Sequence, residues 1–248
     1  MPEKAMILAA GLGMRMRPIT NTVPKPLVQV GGRPMIDYAL DSLEKEGIGR
    51  IVVNVHHLAD QLVDHLEKRP GMRAAISDET EKLLDSGGGI VKALPLLGSD
   101  AFFILNADTF WLEPHDSHTT NLAALSSIWN PADMDILLMT ATPDQTIGYG
   151  GKGDFLEGGG GRLRRYDGVS KNPVIYAGAA ILSPAIFADA PAESFSLNRC
   201  FDEAIAKGRL FGSPMRGLWL TVGTPEAIGQ AETAMRNFET EKQPDLSP

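Results

Sequence analysis

Residues 8–34 read LAAGLGMRMRPITNTVPKPLVQVGGRP. The first of them continue an apolar run, residues 5–11, that predicts a buried strand. The strand opens into a loop in which glycines let backbone N–H groups approach anionic oxygens closely and arginines add bidentate donors. The loop contains Gly11, Gly13, Arg15 and Arg17. The segment therefore predicts a phosphate-binding loop at the carboxyl end of the first strand.

Lys25 lies between Pro24 and Pro26, which stiffen the backbone on both sides of the lysine. A rigidly mounted lysine is suited to a charge that develops in a transition state. Two common phosphate motifs are absent from the sequence. It has no G-x-x-x-x-G-K-[ST] loop, and Met16 stands where the third glycine of G-x-G-x-x-G would be. The loop is therefore neither the usual ATPase loop nor a complete dinucleotide fingerprint.

Strand and helix patterns alternate over the first two-thirds of the chain. Besides residues 5–11, the pattern predicts buried strands at residues 50–57, 72–79 and 101–108. It predicts amphipathic helices at residues 35–47 and 59–69, and a glycine turn that becomes a helix at residues 86–98. This alternation indicates βαβ units, a mostly parallel sheet, and a ligand site at the carboxyl ends of the strands.

After about residue 145 the chain becomes rich in glycine, and a short hairpin is predicted around the turn EGGGG at residues 157–161. The patterns that follow predict a strand at 173–183, a helix at 195–208, a strand at 218–224 and a last helix that begins at Pro225. The tail, residues 241–248, is predicted to be frayed.

The charge of the chain is uneven. The net charge is −8, but residues 1–33 carry +4 and the remaining residues carry −12. An acidic chain with a cationic head favours a small, highly charged anion over nucleic acid as the main partner. No apolar run of membrane-spanning length exists, and the N-terminus lacks a secretory pattern. The single cysteine, Cys200, suits a reducing compartment, so we expect a cytoplasmic location.

The predicted strand at residues 101–108 ends in Asn106-Ala107-Asp108, which places a carboxylate at the carboxyl edge of the sheet. Mg²⁺ binds one or two carboxylates and takes its other ligands from phosphates and water. An aspartate that only caps the next turn is the alternative. Together with the phosphate loop upstream, the position favours a metal ligand.

The strings LAAGLGMRMRP and PKPL resemble the N-terminal pattern of the sugar-1-phosphate nucleotidyltransferases, or NDP-sugar pyrophosphorylases. The resemblance in order and spacing extends over nearly the whole chain. It implies a single-domain, Rossmann-like α/β fold with a mixed, mostly parallel central sheet flanked by helices. It also implies that a sugar 1-phosphate attacks a nucleoside triphosphate and releases pyrophosphate.

The same resemblance implies roles for individual residues. Lys25 would contact the reacting phosphates, Asp108 would bind Mg²⁺, and Arg15 would neutralise the leaving group. The residues that would hold the nucleotide at the loop are Leu8, Ala9, Ala10, Gly11, Gly13, Met14 and Arg15. Residues 1–240 would form the domain, with a nucleotide-binding part to about residue 145 and a sugar-binding part from about residue 146.

The family carries a second metal-binding aspartate in a pattern like W-[LVM]-D-x-G-T, but this chain has Thr221 at that position in WLTVGT. A hydroxyl is a weaker Mg²⁺ ligand than a carboxylate. Three interpretations stay open: Asp108 and the substrate phosphates hold the ion alone, another acid such as Asp202 or Asp154 replaces the missing one, or activity is lost. We favour the first, because Mg²⁺ can arrive with the nucleotide.

The segment DSGGGIVKALPLLG, together with NAD and GKGDF, resembles one branch of the family, the N-acetylmuramate α-1-phosphate uridylyltransferases of peptidoglycan recycling. That resemblance implies UTP as the nucleotide and places Gly87 and Gly88 near the base or ribose. The residues expected near the sugar are Asn106, Asp154, Lys171, Tyr176 and Gly178. The lactyl carboxylate of a muramic acid needs a cation, which Lys152, Arg162 or Lys171 would supply.

Two other functions stay open. One is a mannose- or glucose-1-phosphate nucleotidyltransferase that uses GTP or dTTP. The other, suggested by Thr221, is an inactive nucleotide-sugar sensor or regulatory subunit. The oligomeric state is not encoded in any pattern of the sequence, since a monomer and a dimer would show the same one.

Overall fold

The predicted first strand lies inside the main sheet of the computed structural model, which describes residues 1–71, 73–114, 116–191 and 193–240. Ala5, Met6 and Ile7 are completely buried, because strands pair with both edges of this strand and helices cover both of its faces. Such two-sided burial explains why the run is continuously apolar instead of alternating.

The strands, in chain order, are β1 (Lys4–Leu8), β2 (Gln29–Val30), β3 (Arg33–Pro34), β4 (Arg50–Val55), β5 (Ala74–Asp78), β6 (Phe102–Asn106), β7 (Thr109–Leu112), β8 (Ile136–Ala141), β9 (Thr146–Ile147), β10 (Phe155–Glu157), β11 (Leu163–Arg165), β12 (Ile175–Leu182), β13 (Leu210–Pro214) and β14 (Leu218–Thr221). The α-helices are α1 (Met35–Lys45), α2 (Ala59–Lys68), α3 (Asp85–Leu97), α4 (Asn121–Ile128), α5 (Asn198–Ala206) and α6 (Pro225–Thr240).

The main sheet has seven strands in the order β13-β8-β12-β6-β1-β4-β5. Neighbouring strands are parallel in the pairs β1–β4, β1–β6, β4–β5 and β8–β13. Strand β12 runs antiparallel to both of its neighbours, β6 and β8. The predicted α/β domain with a mixed, mostly parallel sheet is therefore confirmed, and strands from both parts of the chain join the same sheet.

Alternate residues of the central strands face opposite helix layers. Ile7 belongs to an apolar cluster that includes Leu40 of α1 and Leu62 of α2. Met6 belongs to a second cluster, with Ile90 of α3 and Phe201 of α5. Helices therefore cover both faces of the sheet, which leaves the carboxyl ends of the parallel strands as the open edge.

A small sheet of β7, β14 and β9 lies beside this edge. It packs with α6 in a third apolar cluster that includes Phe110, Leu220 and Ala231. At the end of β14 the N–H of Val222 donates to the backbone oxygen of Asp108 at 3.0 Å. The small sheet thus holds residues 221–224 against the end of β6.

Because β6 is buried, a mutation that leaves a cavity in this strand should lower the stability of the protein strongly. Ile104 is completely buried, so we expect Ile104→Ala to lower the free energy of unfolding by about 2–5 kcal/mol. Urea denaturation followed by circular dichroism measures it. The exposed Ile128 at the end of α4 is the control, and Ile128→Ala should change stability by no more than about 0.5 kcal/mol. Equal effects at both positions would contradict the assigned core.

The structure corrects the expected starts of two helices. The helix predicted at residues 195–208 is α5, which begins at Asn198, so residues 195–197 lie outside it. Helix α3 begins at Asp85, so Gly87, Gly88 and Gly89 lie inside its first turns and not in a turn before it. The hairpin around EGGGG is confirmed as the antiparallel pair β10–β11. The sequence patterns assigned no element to the region that forms β7, α4 and β8.

The predicted frayed tail, residues 241–248, lies outside the described residues. Among the helices that the structure describes, none is both long enough and apolar enough to cross a membrane.

Candidate active site

A cavity of about 600 Å³ opens at the carboxyl ends of β1, β4, β5 and β6. It lies where parallel strands of an α/β sheet place their ligands. The predicted site residues that line it are Leu8, Ala9, Ala10, Gly11, Gly13, Met14, Arg15, Lys25, Asn106 and Asp108. The folded chain thus brings together the phosphate loop, the lysine between two prolines and the aspartate after β6.

The loop after β1 is held in place by neighbouring strands and turns. The N–H of Ala9 donates to Oδ1 of Asn54 on β4 at 2.7 Å, and Oγ1 of Thr20 donates to the carbonyl oxygen of Gly13 at 2.8 Å. Gly13 has a φ of 61°, a left-handed conformation that disfavours a side chain. At Gly11 a Cβ would meet no atom within 4 Å, so this glycine borders open space.

Arg15 is the cation of the loop that enters the cavity. It forms no ion pair with any residue that the structure describes, and its guanidinium lies over Gly223, within 3.3 Å of where a Cβ on that glycine would stand. An unpaired guanidinium beside backbone N–H groups is an anion-binding arrangement. Arg17, by contrast, is exposed and does not line the cavity.

The contact between Arg15 and Gly223 gives a prediction. In Gly223→Ala the new methyl group displaces the flexible guanidinium at little cost to folding, so we expect the KM for the nucleoside triphosphate to rise about three- to tenfold. Initial-rate kinetics measure it. Gly229→Ala on α6, where an added Cβ meets nothing within 4 Å, is the control. An unchanged KM in Gly223→Ala would show that the position of Arg15 does not matter.

Lys25 and Asp108 form an ion pair across the cavity. The lysine side chain is 12% exposed and the aspartate side chain 32% exposed, so the lysine is held more tightly while the carboxylate faces the opening. The backbone around the lysine is a short 3₁₀ turn, Lys25–Leu27, that follows Pro24. The pair therefore places one cation and one partly open carboxylate next to the loop that carries Arg15.

The carboxylates on the cavity wall differ in what they can bind. Glu79 is buried, and its oxygens accept from Nδ2 of Asn54 at 2.7 Å and from the N–H of Leu84 at 3.0 Å. Asp85 has a φ of 58° and accepts from the N–H of Ser86 at 2.6 Å. Asp108 lies at the end of β6 beside the phosphate loop, so it is the carboxylate best placed for a metal.

Asp202 and Asp154, the two acids considered as replacements for the second metal ligand, do not line the cavity. Asp202 pairs with Nε of Arg165 at 2.7 Å. Asp154 accepts from the hydroxyl of Tyr149 at 3.1 Å and from the N–H of Tyr176 at 3.0 Å. In the described part of the chain there is no group of three or more His, Cys, Asp or Glu side chains that could hold a metal ion. A Mg²⁺ site here fits one carboxylate, completed by phosphates and water.

Thr221, which stands in place of the second metal-binding aspartate, is the last residue of β14 and pairs with Thr109 of β7. It does not line the cavity, whereas Gly223, two residues later, does. The fold therefore puts the segment WLTVGT, residues 219–224, beside Asp108, but this segment carries no carboxylate.

The two glycines expected near the base or ribose adjoin the cavity without lining it. The N–H groups of Gly87 and Gly88 both donate to the carbonyl oxygen of Phe195, at 2.9 and 3.2 Å. These donors are therefore engaged by another part of the chain.

Of the residues expected near the sugar, only Asn106 lines the cavity. Gly178 has a φ of 74° and would, with a Cβ, meet Oγ1 of Thr109 at 2.2 Å, so it allows β12 to lie close to the start of β7. Lys171 is exposed in the loop before β12.

Two tyrosines, Tyr149 and Tyr176, lie next to Asp154. The Tyr176 hydroxyl is buried and has no hydrogen-bond partner among the described residues. Burial raises the pKa of Tyr176, and the charge of Asp108 raises it further. Burial also raises the pKa of Tyr149 to about 12, with a contribution from Asp154. Both phenols therefore stay protonated at neutral pH and can act as hydrogen-bond donors.

The sequence patterns missed several residues of the cavity wall, namely Pro26, Asn54, Glu79, Leu83, Ser194 and Gly223. Asn54 had a local signal, because it is a polar residue inside the buried strand RIVVNV. Ser194 had none, since it comes from a distant segment that reaches the cavity only in the folded chain.

Comparison with known proteins finds similar proteins that cover most of the chain. The family described as Nucleotidyl transferase matches residues 4–133. The N-acetylmuramate alpha-1-phosphate uridylyltransferase of Caulobacter vibrioides is 40% identical over 94% of this chain and 97% of its own length. The enzyme of that name from Neisseria meningitidis serogroup B is 34% identical over 92% and 96% of the two chains.

This chain also has the same fold as a protein of known structure. The crystal structure of HddC from Yersinia pseudotuberculosis superposes with a TM-score of 0.74 and 24% identity, over 94% of this chain and 99% of its own.

Proposed function

This chain belongs to the nucleotidyl transferase family, and on that basis we propose that it transfers the uridylyl group of UTP to N-acetylmuramate α-1-phosphate and releases pyrophosphate. The choice of substrates follows the two relatives whose names specify this reaction. The structural observation that supports it is the convergence of the unpaired Arg15 and the Lys25–Asp108 pair in one cavity at the open edge of the sheet.

In the proposed reaction the phosphate oxygen of the sugar 1-phosphate attacks the α-phosphorus of the nucleotide in line, and pyrophosphate leaves on the opposite side. The second pKa of a phosphate monoester is about 6, so the nucleophile is already mostly ionised at neutral pH. The enzyme therefore needs no general base, and its residues act by positioning and charge neutralisation. Arg15 neutralises the leaving pyrophosphate, and Lys25 contacts the reacting phosphates.

We assign Asp108 to Mg²⁺, with the substrate phosphates as the other ligands. When bound, the ion supplies neutralisation of the charge that develops on the phosphate oxygens. The Asp108 carboxylate also holds Lys25 before the nucleotide arrives. Because Lys25 has no other ionic partner among the described residues, its ammonium group is available to the phosphates once they enter.

We propose that the sugar occupies the end of the cavity beside Asn106, next to Gly178 and above Tyr176. Asp154 would shape this end indirectly, because its two oxygens hold Tyr149 and the backbone of Tyr176. About residues 1–145 would then supply most of the nucleotide site and about residues 146–240 most of the sugar site.

A cation for the lactyl carboxylate would come from the loops before β10 or β12. Nε of Arg162 donates to the carbonyl oxygen of Gly208 at 3.2 Å, and its guanidinium lies over the ring of Phe211. Lys152 and Lys171 are exposed and form no ion pair with described residues. The two lysines are therefore the better candidates.

We further propose that the reaction occurs in the cytoplasm, as a step of peptidoglycan recycling. The one cysteine of the chain, Cys200, is buried and free, and burial raises its pKa to about 11. A thiol of this kind suits a reducing compartment.

The proposal predicts a single strong signal in a substrate grid. Pyrophosphate release is measured with Mg²⁺ for ATP, CTP, GTP, UTP and dTTP, each against N-acetylmuramate α-1-phosphate and the 1-phosphates of glucose, mannose and N-acetylglucosamine. We expect UTP with the muramate to exceed every other pair by at least about tenfold in kcat/KM.

Other outcomes of the grid have defined meanings. A maximum at GTP or dTTP with mannose or glucose 1-phosphate would support nucleotidyl transfer but show that the proposed substrates are wrong. Nucleotide binding without turnover at any pair would favour the inactive sensor that Thr221 suggests.

A further inference from the structure

Residues 193–197, here called the docking segment, lie against the start of α3. The N–H of Phe195 donates to the carbonyl oxygen of Leu84 at 3.2 Å, and the carbonyl oxygen of Phe195 accepts from Gly87 and Gly88. The N–H of Leu197 donates to Oγ of Ser86 at 2.9 Å. Backbone N–H groups at the start of a helix lack partners within the helix. Here the carbonyl oxygen of Phe195, from a distant part of the chain, supplies the missing acceptor for two of them.

The glycines at the start of α3 make this approach possible. A Cβ on Gly87 would stand 2.3 Å from a ring carbon of Phe195, and a Cβ on Gly88 would stand 3.3 Å from the carbonyl oxygen of Glu193. Neither glycine has a left-handed φ, so conformational freedom is not the reason for them. Gly87 is needed because the Phe195 ring occupies the space of a side chain.

The far end of the docking segment is anchored in the core. Leu197 is 4% exposed, and Phe201 of the following helix α5 packs its ring edge-on against Tyr176 and Phe155. With one end bonded to α3 and the other buried, the segment has a defined position along the cavity.

That position brings one residue to the cavity wall. Ser194 lines the cavity together with Glu79, Asp85 and Ser86, at the end near β5. Asp108 follows β6, and β1 and β4 lie between β6 and β5. At about 4.8 Å per strand, the two ends of the cavity are roughly 14 Å apart. If the phosphates lie among Arg15, Lys25 and Asp108, the nucleoside must extend toward Ser194.

We propose that the docking segment forms the outer wall of the nucleoside end of the cavity, and that Phe195 is a positioning residue for that wall through its contact with Gly87. Ser194 is then a residue of the nucleotide site that comes from the second part of the chain. The inference deepens the proposed function and rests on it for the choice of UTP as the probe.

The first experiment adds a methyl group at Gly87 and, in a second variant, removes the Phe195 ring that the methyl group would meet. Gly87→Ala pushes the Phe195 ring outward, so we expect the KM for UTP to rise at least about tenfold, with a smaller change in kcat. In the double variant Gly87→Ala/Phe195→Ala the methyl group has room, and the KM should return to within about threefold of that of Phe195→Ala alone. The affinity for UTP, measured by calorimetry without sugar phosphate, should fall in Gly87→Ala and recover in the double variant in the same way.

The matched control is Gly159→Ala in the β10–β11 turn, where an added Cβ meets nothing within 4 Å. It should leave UTP binding unchanged, and thermal denaturation verifies that each variant is folded. An effect of Gly87→Ala that Phe195→Ala does not relieve would mean that Gly87 contacts the nucleotide itself, which overturns the positioning role. Unchanged UTP affinity in a folded Gly87→Ala protein would overturn it as well.

The second experiment separates the nucleoside end from the phosphate end. Ser194→Trp fills the wall beside Asp85 and Ser86, so UTP affinity should fall at least about tenfold. Inorganic tripolyphosphate, which carries no nucleoside, should bind the variant as tightly as it binds the parent protein. Equal losses for both ligands, or no loss for UTP, would overturn the proposal. Both measurements are of binding, so they stay decisive even if the substrate grid shows no turnover.

Discussion

In Lys25→Ala, kcat is expected to fall at least about a hundredfold, the scale on which a preorganised transition-state donor acts. Lys25 lines the cavity beside Arg15, its side chain is 12% exposed, and its ionic partner among the described residues is Asp108. No other lysine lines the described cavity wall, so none can take its place. Steady-state pyrophosphate release with saturating UTP and sugar 1-phosphate gives kcat directly.

The control for this variant is Lys68→Ala. Lys68 is 73% exposed on α2 and pairs with Asp64 at 2.6 Å, so its loss should change kcat by less than about twofold. Thermal denaturation tests whether Lys25→Ala remains folded. A folded Lys25→Ala protein with an unchanged kcat would remove Lys25 from the mechanism.

A still larger loss is expected for Asp108→Asn. The amide keeps the shape of the side chain and can accept a hydrogen bond from Lys25, but it removes the negative charge that a metal ion requires. A bound metal contributes several kcal/mol of charge stabilisation, so kcat with Mg²⁺ should fall at least about a thousandfold. Binding of Mn²⁺ in the presence of UTP, measured by electron paramagnetic resonance, should weaken at least about tenfold.

Asp202→Asn and Asp154→Asn test the alternative that one of these two acids supplies the second metal ligand, which Thr221 lacks. Asp202 is 62% exposed in its pair with Arg165, so we expect kcat of Asp202→Asn to stay within about twofold. A thousandfold loss in either variant, together with weaker Mn²⁺ binding, would make that acid a metal ligand. Full turnover of Asp108→Asn with Mg²⁺ would show that the assignment of the metal to Asp108 is wrong.

The sequence by itself determined the parts of the site that are contiguous along the chain. A buried strand, a glycine loop and Arg15 follow one another directly, and Asp108 comes immediately after another buried strand. The carboxyl ends of parallel strands share one edge of a sheet, so these local patterns also predict that the loop and the aspartate are neighbours. The hairpin around EGGGG was equally predictable, because a tight glycine turn joins two adjacent strands.

Only the tertiary structure decided which distant segments complete the cavity. The antiparallel position of β12 between β6 and β8, the contact of Gly223 with Arg15, and the docking of Phe195 on Gly87 join residues far apart in the chain. The string SGGG is compatible with a helix start, a phosphate site or a close contact with another segment, since all three need space or free N–H groups. The choice among them depends on what packs against the glycines, because a local pattern records the conformation of its own backbone and not the identity of its neighbours.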